Sequence, residues 1–183
     1  MARYIAAMPA EPLFRRLLGP AFETLPAPVR DLHTGESPRR YRGHCEILRG
    51  SGWFSRLCGA IAGFPPAGKD VRVEVAIEIA GDGEIWRRDF GGHPLASRLN
   101  ARSGALEERM GPAVLRFRLV ADATAIRWDF IDARVLGILL PSFASARVDA
   151  TESIEGGRYA FDVRAALPWA GLLVHYRGVL DPV

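Results

Sequence analysis

Lysine is almost missing from this sequence: Lys69 is the only one among 24 basic residues, and 21 acidic residues nearly balance them, leaving a formal charge of +3. The arginines alternate with acids along the chain instead of gathering into a stripe. Nucleic-acid binding needs a clustered basic footprint, so that partner class is set aside, and the arginine bias is read as the mark of a GC-rich genome. Cysteine is scarce, with only Cys45 and Cys58. The one apolar stretch near the start, Tyr4 to Met8, is too short for a secretory signal and runs into Pro9 and Pro12, which predicts a reduced, cytoplasmic setting. No segment approaches the roughly 18 uninterrupted apolar residues of a membrane helix, so a helical membrane span is excluded. Internal repeats and low-complexity segments are lacking too.

What is present is ordinary globular composition, 49% hydrophobic and 25% charged over 183 residues. One core suffices at that length, and a single domain over residues 1–183 is expected. Residues 1–38 read as a helical and loop segment. Pro12 to Leu18 has an amphipathic pattern, with Pro12 suited to a first turn and Gly19-Pro20 ending it. Phe22 to Leu32, interrupted by Pro26 and Pro28, reads as a helical turn or two followed by a loop. Residues 39–183 read as antiparallel β with one inserted helix near 52–63. Trp53, Phe54, Leu57, Ile61 and Phe64 recur there at helical spacing until Pro65-Pro66. Such a stripe is ordinarily core; in a barrel it can instead form a lid over an open end.

Strand periodicity dominates the rest. Val71, Val73, Val75, Ile77 and Ile79 alternate with Arg72, Glu74 and Glu78, and Gly81-Asp82-Gly83 turns the chain into a second strand over Glu84–Phe90. Further alternating segments follow at 97–100, 105–110, 113–120, 125–135, 144–154, 158–167 and 172–180, separated by turn residues. With Arg40–Leu48 before them, this is a mostly β (α+β) chain. The expected architecture is a curved antiparallel sheet or barrel of about eight to ten strands with short N-terminal helices, lipocalin-like in general shape. A β-sandwich is the alternative.

Strand alternation also assigns side chains to faces, and three charges fall among apolar neighbours: Arg88 with Trp86 and Phe90, Glu108 with Leu106 and Met110, and Glu152 with Val148, Ala150 and Ile154. Glu84 and Asp132 are weaker cases near strand ends. A charge in a dry interior costs several kcal/mol unless paired, so Arg88 is expected to meet Glu108, Glu152 or both. Three readings follow. The group is a structural ion pair in a filled core. Or it lines a cavity in which Arg88 clamps an acidic group between walls of Trp86, Phe90 and Trp128. Or Glu108 and Glu152 work as general acid and base.

Several motifs dissolve on physical grounds. Gly63 to Lys69 has the spacing of a phosphate-binding loop, but Asp70 replaces the hydroxyl that would hold magnesium, and the loop precedes a strand instead of opening a helix. His44-Cys45-Glu46 lacks the downstream Pro-Cys-x-x-Cys of a zinc deaminase. His33, His44, His93 and His175 share no ligand spacing, so no metal is assigned. Cys58 is read as a small buried hydrophobe, and Ser97 as a strand hydroxyl.

The order of local signatures resembles an uncharacterised bacterial family, domain of unknown function 4166. It is carried by Leu17-Leu18-Gly19, Leu25-Pro26 to Leu32-His33, Arg49-Gly50, Phe64-Pro65-Pro66, Glu84-x-Trp86-x-Arg88-x-Phe90, Ser97 and Glu108-x-x-Gly111-Pro112. Leu136-Gly137, Leu140-Pro141, Glu152, Phe161-Asp162, Gly171, Tyr176 and Gly178 complete it, and Arg109-Met110 departs from an aromatic position. The resemblance covers nearly the whole chain and implies one complete domain, found alone or attached to dehydrogenase-like nucleotide-binding modules. Such a module is the one partner it suggests; no cofactor and no residue roles follow from it. The preferred function is a binding module for a small apolar or amphipathic molecule held inside the sheet, with Arg88 meeting its acidic end. An enzyme and a structural or interaction domain remain the alternatives.

Overall fold

A computed structural model describes residues 11–141 and 147–183. Eleven strands form one antiparallel sheet: β1 (Arg39–Arg49), β2 (Gly68–Ala80), β3 (Gly83–Phe90), β4 (Pro94–Arg102), β5 (Ala105–Met110), β6 (Ala113–Ala121), β7 (Ile126–Val135), β8 (Ile138–Leu139), β9 (Arg147–Glu155), β10 (Arg158–Leu167) and β11 (Gly171–Pro182). Each of the first seven pairs with the next, β7 passes to β9, and β11 returns to β1. Ten strands therefore close into a barrel, and the two-residue β8 hangs on the end of β7. Closure leaves no long unpaired edge among the described strands, which answers the edge problem posed by so many hairpins. The ten sequence-predicted strands coincide with these ten; residues 144–146 of the eighth lie outside the described residues. The dipeptide β8 is too short to carry a period.

Inside-facing residues follow the alternation. On β2, Val73, Val75 and Ile77 are buried while Arg72, Glu74 and Glu78 point out. Outside, arginine and acid pair across neighbouring strands, as in Arg177 with Glu46 and Arg87 with Glu78. Each such exposed pair is worth about 0–1 kcal/mol, so the arginines dress the barrel wall more than they stabilise it.

One strand crossing is set by glycine. A Cβ on Gly43 of β1 would lie 1.8 Å from the Val179 carbonyl oxygen, and one on Gly178 of β11 would lie 2.2 Å from the His44 carbonyl oxygen. The two backbones approach too closely there for any side chain.

The barrel ends differ. At the lower end, α1 (Leu13–Leu18), a 3-10 turn (Gly19–Thr24) and α2 (Ala27–Thr34) pack under the strands and send Phe14, Leu32 and His33 into the core. The helical segment is longer than the sequence reading allowed: Pro26 caps α2 and Pro28 sits in its first turn, where a missing N–H costs nothing. At the upper end, α3 (Trp53–Ile61) joins β1 to β2. The expectation that its apolar stripe is core is overturned. Ser55 and Gly59 are its buried residues, with the Ser55 hydroxyl donating to the Leu172 carbonyl, while Trp53 is 67% exposed and Ile61 77%. Helical spacing shows that a helix has an apolar face; it does not show on which side the protein lies.

Candidate functional site

β3 supplies the spine of the site. Its inward residues are Glu84, Trp86, Arg88 and Phe90, two apart as a strand requires. Of these, Trp86, Arg88 and Phe90 line a cavity of about 100 Å³ that runs up the barrel from Leu32 of α2 to Phe64, Leu95 and Met110 at the upper end. Arg88, Glu108 and Glu152 all line it, as do Trp86, Phe90 and Trp128, so the six residues singled out in the sequence are brought to one cavity. The rest of the lining is overwhelmingly aliphatic and aromatic.

The charges divide into two polar groups. In the upper one, the Arg88 guanidinium donates to the Ser97 hydroxyl at 3.0 Å and to Glu108 at 3.3 Å, and lies 5.0 Å above the Trp86 ring. β3 and β4 hold Trp86 opposite Ser97, while β4 and β5 hold Leu99 opposite Glu108, which places the three polar residues on one inner wall. Two bonds leave part of the five-donor guanidinium fork unengaged among the described residues. Tyr176 stands near this group; burial pushes its phenol up to about 12, with Glu108 adding to the shift and Arg88 opposing it.

In the lower group, Glu152 is held by Trp128, whose indole N–H donates at 3.0 Å, and by His33, whose Nε2–H donates at 2.6 Å. Of the two acids expected as partners for Arg88, Glu108 is the one bonded to it, while Glu152 is bonded to a histidine that the sequence reading had set aside. His33 also stacks on Phe14, with ring centroids 3.6 Å apart, and its buried Nδ1 has no hydrogen-bond partner among the described residues. Tyr159 lines the same region, its phenol raised well above the ordinary value by burial and by the Glu152 charge. Both phenols line the cavity and are protonated at neutral pH.

A third buried carboxylate, Glu84, repeats the pattern just below. It accepts from the Trp86 indole at 2.8 Å and from Arg39 at 2.7 Å. Trp86 and Trp128 meet edge to face with centroids 6.5 Å apart, so the two tryptophan–glutamate pairs brace each other. Sequence alternation exposed Glu84 as a weak candidate. His33, Tyr159 and Tyr176 carried no such signal, because a histidine on a short helix or a tyrosine in a strand is compositionally unremarkable until its partner arrives from elsewhere in the chain.

Other sequence-level candidates lie apart. Asp132 pairs with Arg116, both half-buried. His44 is exposed and bonds Asp70. Burial pushes the Cys45 thiol up to about 11, which keeps it protonated and inert. Among the described residues no three His, Cys, Asp or Glu side chains converge as a metal site would require.

Comparison with known proteins adds family and little else. A crystal structure of a Nostoc punctiforme protein of unknown function from the DUF3598 family aligns with a TM-score of 0.47 at 8% identity, over 80% of this chain and 48% of that one. This chain thus spans about half the length of that protein. The Mycobacterium tuberculosis protein Rv2717c aligns with a TM-score of 0.49 at 12% identity, over 91% of this chain and 99% of that one. No curated protein matches the sequence. The family model for a domain of unknown function, DUF4166, matches residues 25–180, and the chain belongs to that family.

Proposed function

We propose that the barrel is a binding module, lipocalin-like in its use of the interior, that holds a small apolar or amphipathic molecule with its acidic end on Arg88. The observation that supports this best is a guanidinium with unengaged donors facing an apolar cavity. A ligand carboxylate there would gain charge-assisted hydrogen bonds in a poorly hydrated site, while Phe90 and the two cavity tryptophans cover its apolar body. Size narrows the class. A dry cavity of roughly 150 Å³ accommodates benzene, so about 100 Å³ sets an upper bound near one small ring or a short chain and rules out a long fatty acyl tail.

The test is titration with phenylacetate and with phenylethanol, its uncharged counterpart, followed by emission of the cavity tryptophans. Saturable binding that favours the carboxylate supports the module. No binding of either compound, nor of a wider set of one-ring acids, would leave a filled structural core as the better description. The enzyme alternative has no separate observation in its favour, since Glu108 and Glu152 are each occupied by their own donors.

A further inference from the structure

The upper end of the barrel is chemically unlike the lower. Helix α3 is inside out: small residues face the barrel, and Trp53, Phe54, Leu57 and Ile61 face away from it. Phe54 meets the ring of Trp169, on the β10–β11 turn, edge to face at 5.5 Å, so the exposed aromatics of two elements form one cluster. The β7–β8 hairpin at the same end exposes Leu136, Ile138 and Leu139. These elements occupy a single arc of the rim, from β7 through β9, β10 and β11 to β1. Large apolar side chains exposed together on one arc mark an interaction site.

Charge identifies the partner. The upper connections, 50–67, 91–93, 111–112, 136–141 and 168–170, contain no Asp or Glu. Arg56 lies on α3 itself, and Lys69, Arg134 and Arg147 sit at the upper ends of β2, β7 and β9; none has an ion-pair partner among the described residues, and Asp70, beside Lys69, is bonded to His44. The lower turns, by contrast, carry Asp82 and Asp122. A second copy of this chain would set unpartnered bases against unpartnered bases. An anionic bilayer surface satisfies both features, its phosphates taking the bases and its acyl boundary the Trp, Phe, Leu and Ile side chains.

We propose that the upper rim docks on an anionic phospholipid surface and sets the mouth of the cavity against it. In naming the bilayer as the source of the apolar ligand, this proposal rests on the binding-module reading. The cavity reaches this end at Phe64, which follows α3 beside the apolar arc, and at Leu95 and Met110 on β4 and β5 across the rim. The helices pack under the other end, so a docked barrel exchanges ligand with the membrane through the Phe64 side of the mouth.

The experiment is co-sedimentation of the full chain with vesicles of equal parts phosphatidylcholine and phosphatidylglycerol, against pure phosphatidylcholine. Binding to the anionic vesicles is expected, falling with salt, with a blue shift of Trp53 and Trp169 emission. The double variant Ile61→Glu/Trp169→Glu changes only exposed side chains and is expected to lower the partition coefficient by roughly tenfold or more. Absence of vesicle binding, or equal binding by the variant, overturns the proposal. So does a concentration-dependent dimer that the variant abolishes while vesicles bind neither protein, which assigns the rim to a second copy. Phenylacetate uptake by the same variant separates the two readings: uptake kept while vesicle binding is lost supports both, and vesicle binding without any uptake removes the cavity reading alone.

Discussion

Replacing Glu152 with leucine should be among the most damaging single changes in the protein. The side chain is 4% exposed and accepts from two buried donors, the Trp128 indole N–H and His33 Nε2–H. Leucine fills similar space but accepts nothing, so both N–H groups are stranded away from water. Each orphaned donor costs about 1–3 kcal/mol, giving a loss of about 2–6 kcal/mol. That is a large part of the 5–15 kcal/mol by which a domain is ordinarily stable. Urea denaturation measures it. The double variant His33→Phe/Glu152→Leu supplies the internal control: it removes one stranded donor along with the acceptor, keeps an aromatic ring against Phe14, and discards the unpartnered Nδ1. It should be less destabilised than Glu152→Leu alone by about 1–3 kcal/mol, because deleting both partners costs less than deleting one. A single-variant loss under about 1 kcal/mol, or a double variant worse than the single, would refute the assignment of Glu152 as the acceptor that holds the lower group together.

Other consequences follow from the same structure. Gly178→Ala forces a methyl to within 2.2 Å of the His44 carbonyl oxygen and 2.6 Å of the Cys45 Cβ, and should cost about 2–3 kcal/mol in urea melts; a neutral effect would contradict the close crossing of β1 and β11. On α3, Leu57→Ser should change stability by less than about 0.5 kcal/mol whereas Ser55→Leu is strongly destabilising, and the reverse order would put the helix the other way round. The phenols of Tyr176, raised to about 12, and Tyr159, raised further above its ordinary value, titrate later in the folded chain than in the unfolded one. Their contribution to stability is full below about pH 10 and is lost as pH rises toward and beyond about 12. Alkaline denaturation monitored with phenolate absorbance should show their ionisation only with unfolding; early ionisation in the folded state would contradict their burial.

The strands were legible because period two is a local property: Val71 to Ile79 announces itself, and every later alternating segment carries its own turn residues. The inward charges were legible for the same reason, since Arg88 and Glu108 reveal their face by their neighbours in the strand. Pairing was not. Glu152 meets a histidine 119 residues away, and nothing near either residue encodes that meeting. Pro26 and Pro28 misled because proline reads as a breaker until its place in the helix is known; at the cap and first turn it starts a helix. The stripe on α3 misled differently. Its spacing was right, but the side of the helix that the barrel covers was decided by Ser55 and Gly59, whose small size permits close approach to Leu172 of β11 and to the Arg49 side chain of β1 respectively.

Arg88 is the residue proposed to receive the acidic end of a ligand in the barrel. Titration of wild type and Arg88→Met/Glu108→Gln with phenylacetate and phenylethanol tests this most directly. Methionine keeps the apolar bulk and removes the donors, and Glu108→Gln in the same chain avoids leaving a buried carboxylate without its partner. Carboxylate affinity should therefore fall roughly tenfold or more, the equivalent of losing about 1.4 kcal/mol or more of charge-assisted bonding, while affinity for the alcohol stays nearly constant. Equal affinities in the two proteins, or an equal fall for both compounds, would contradict it.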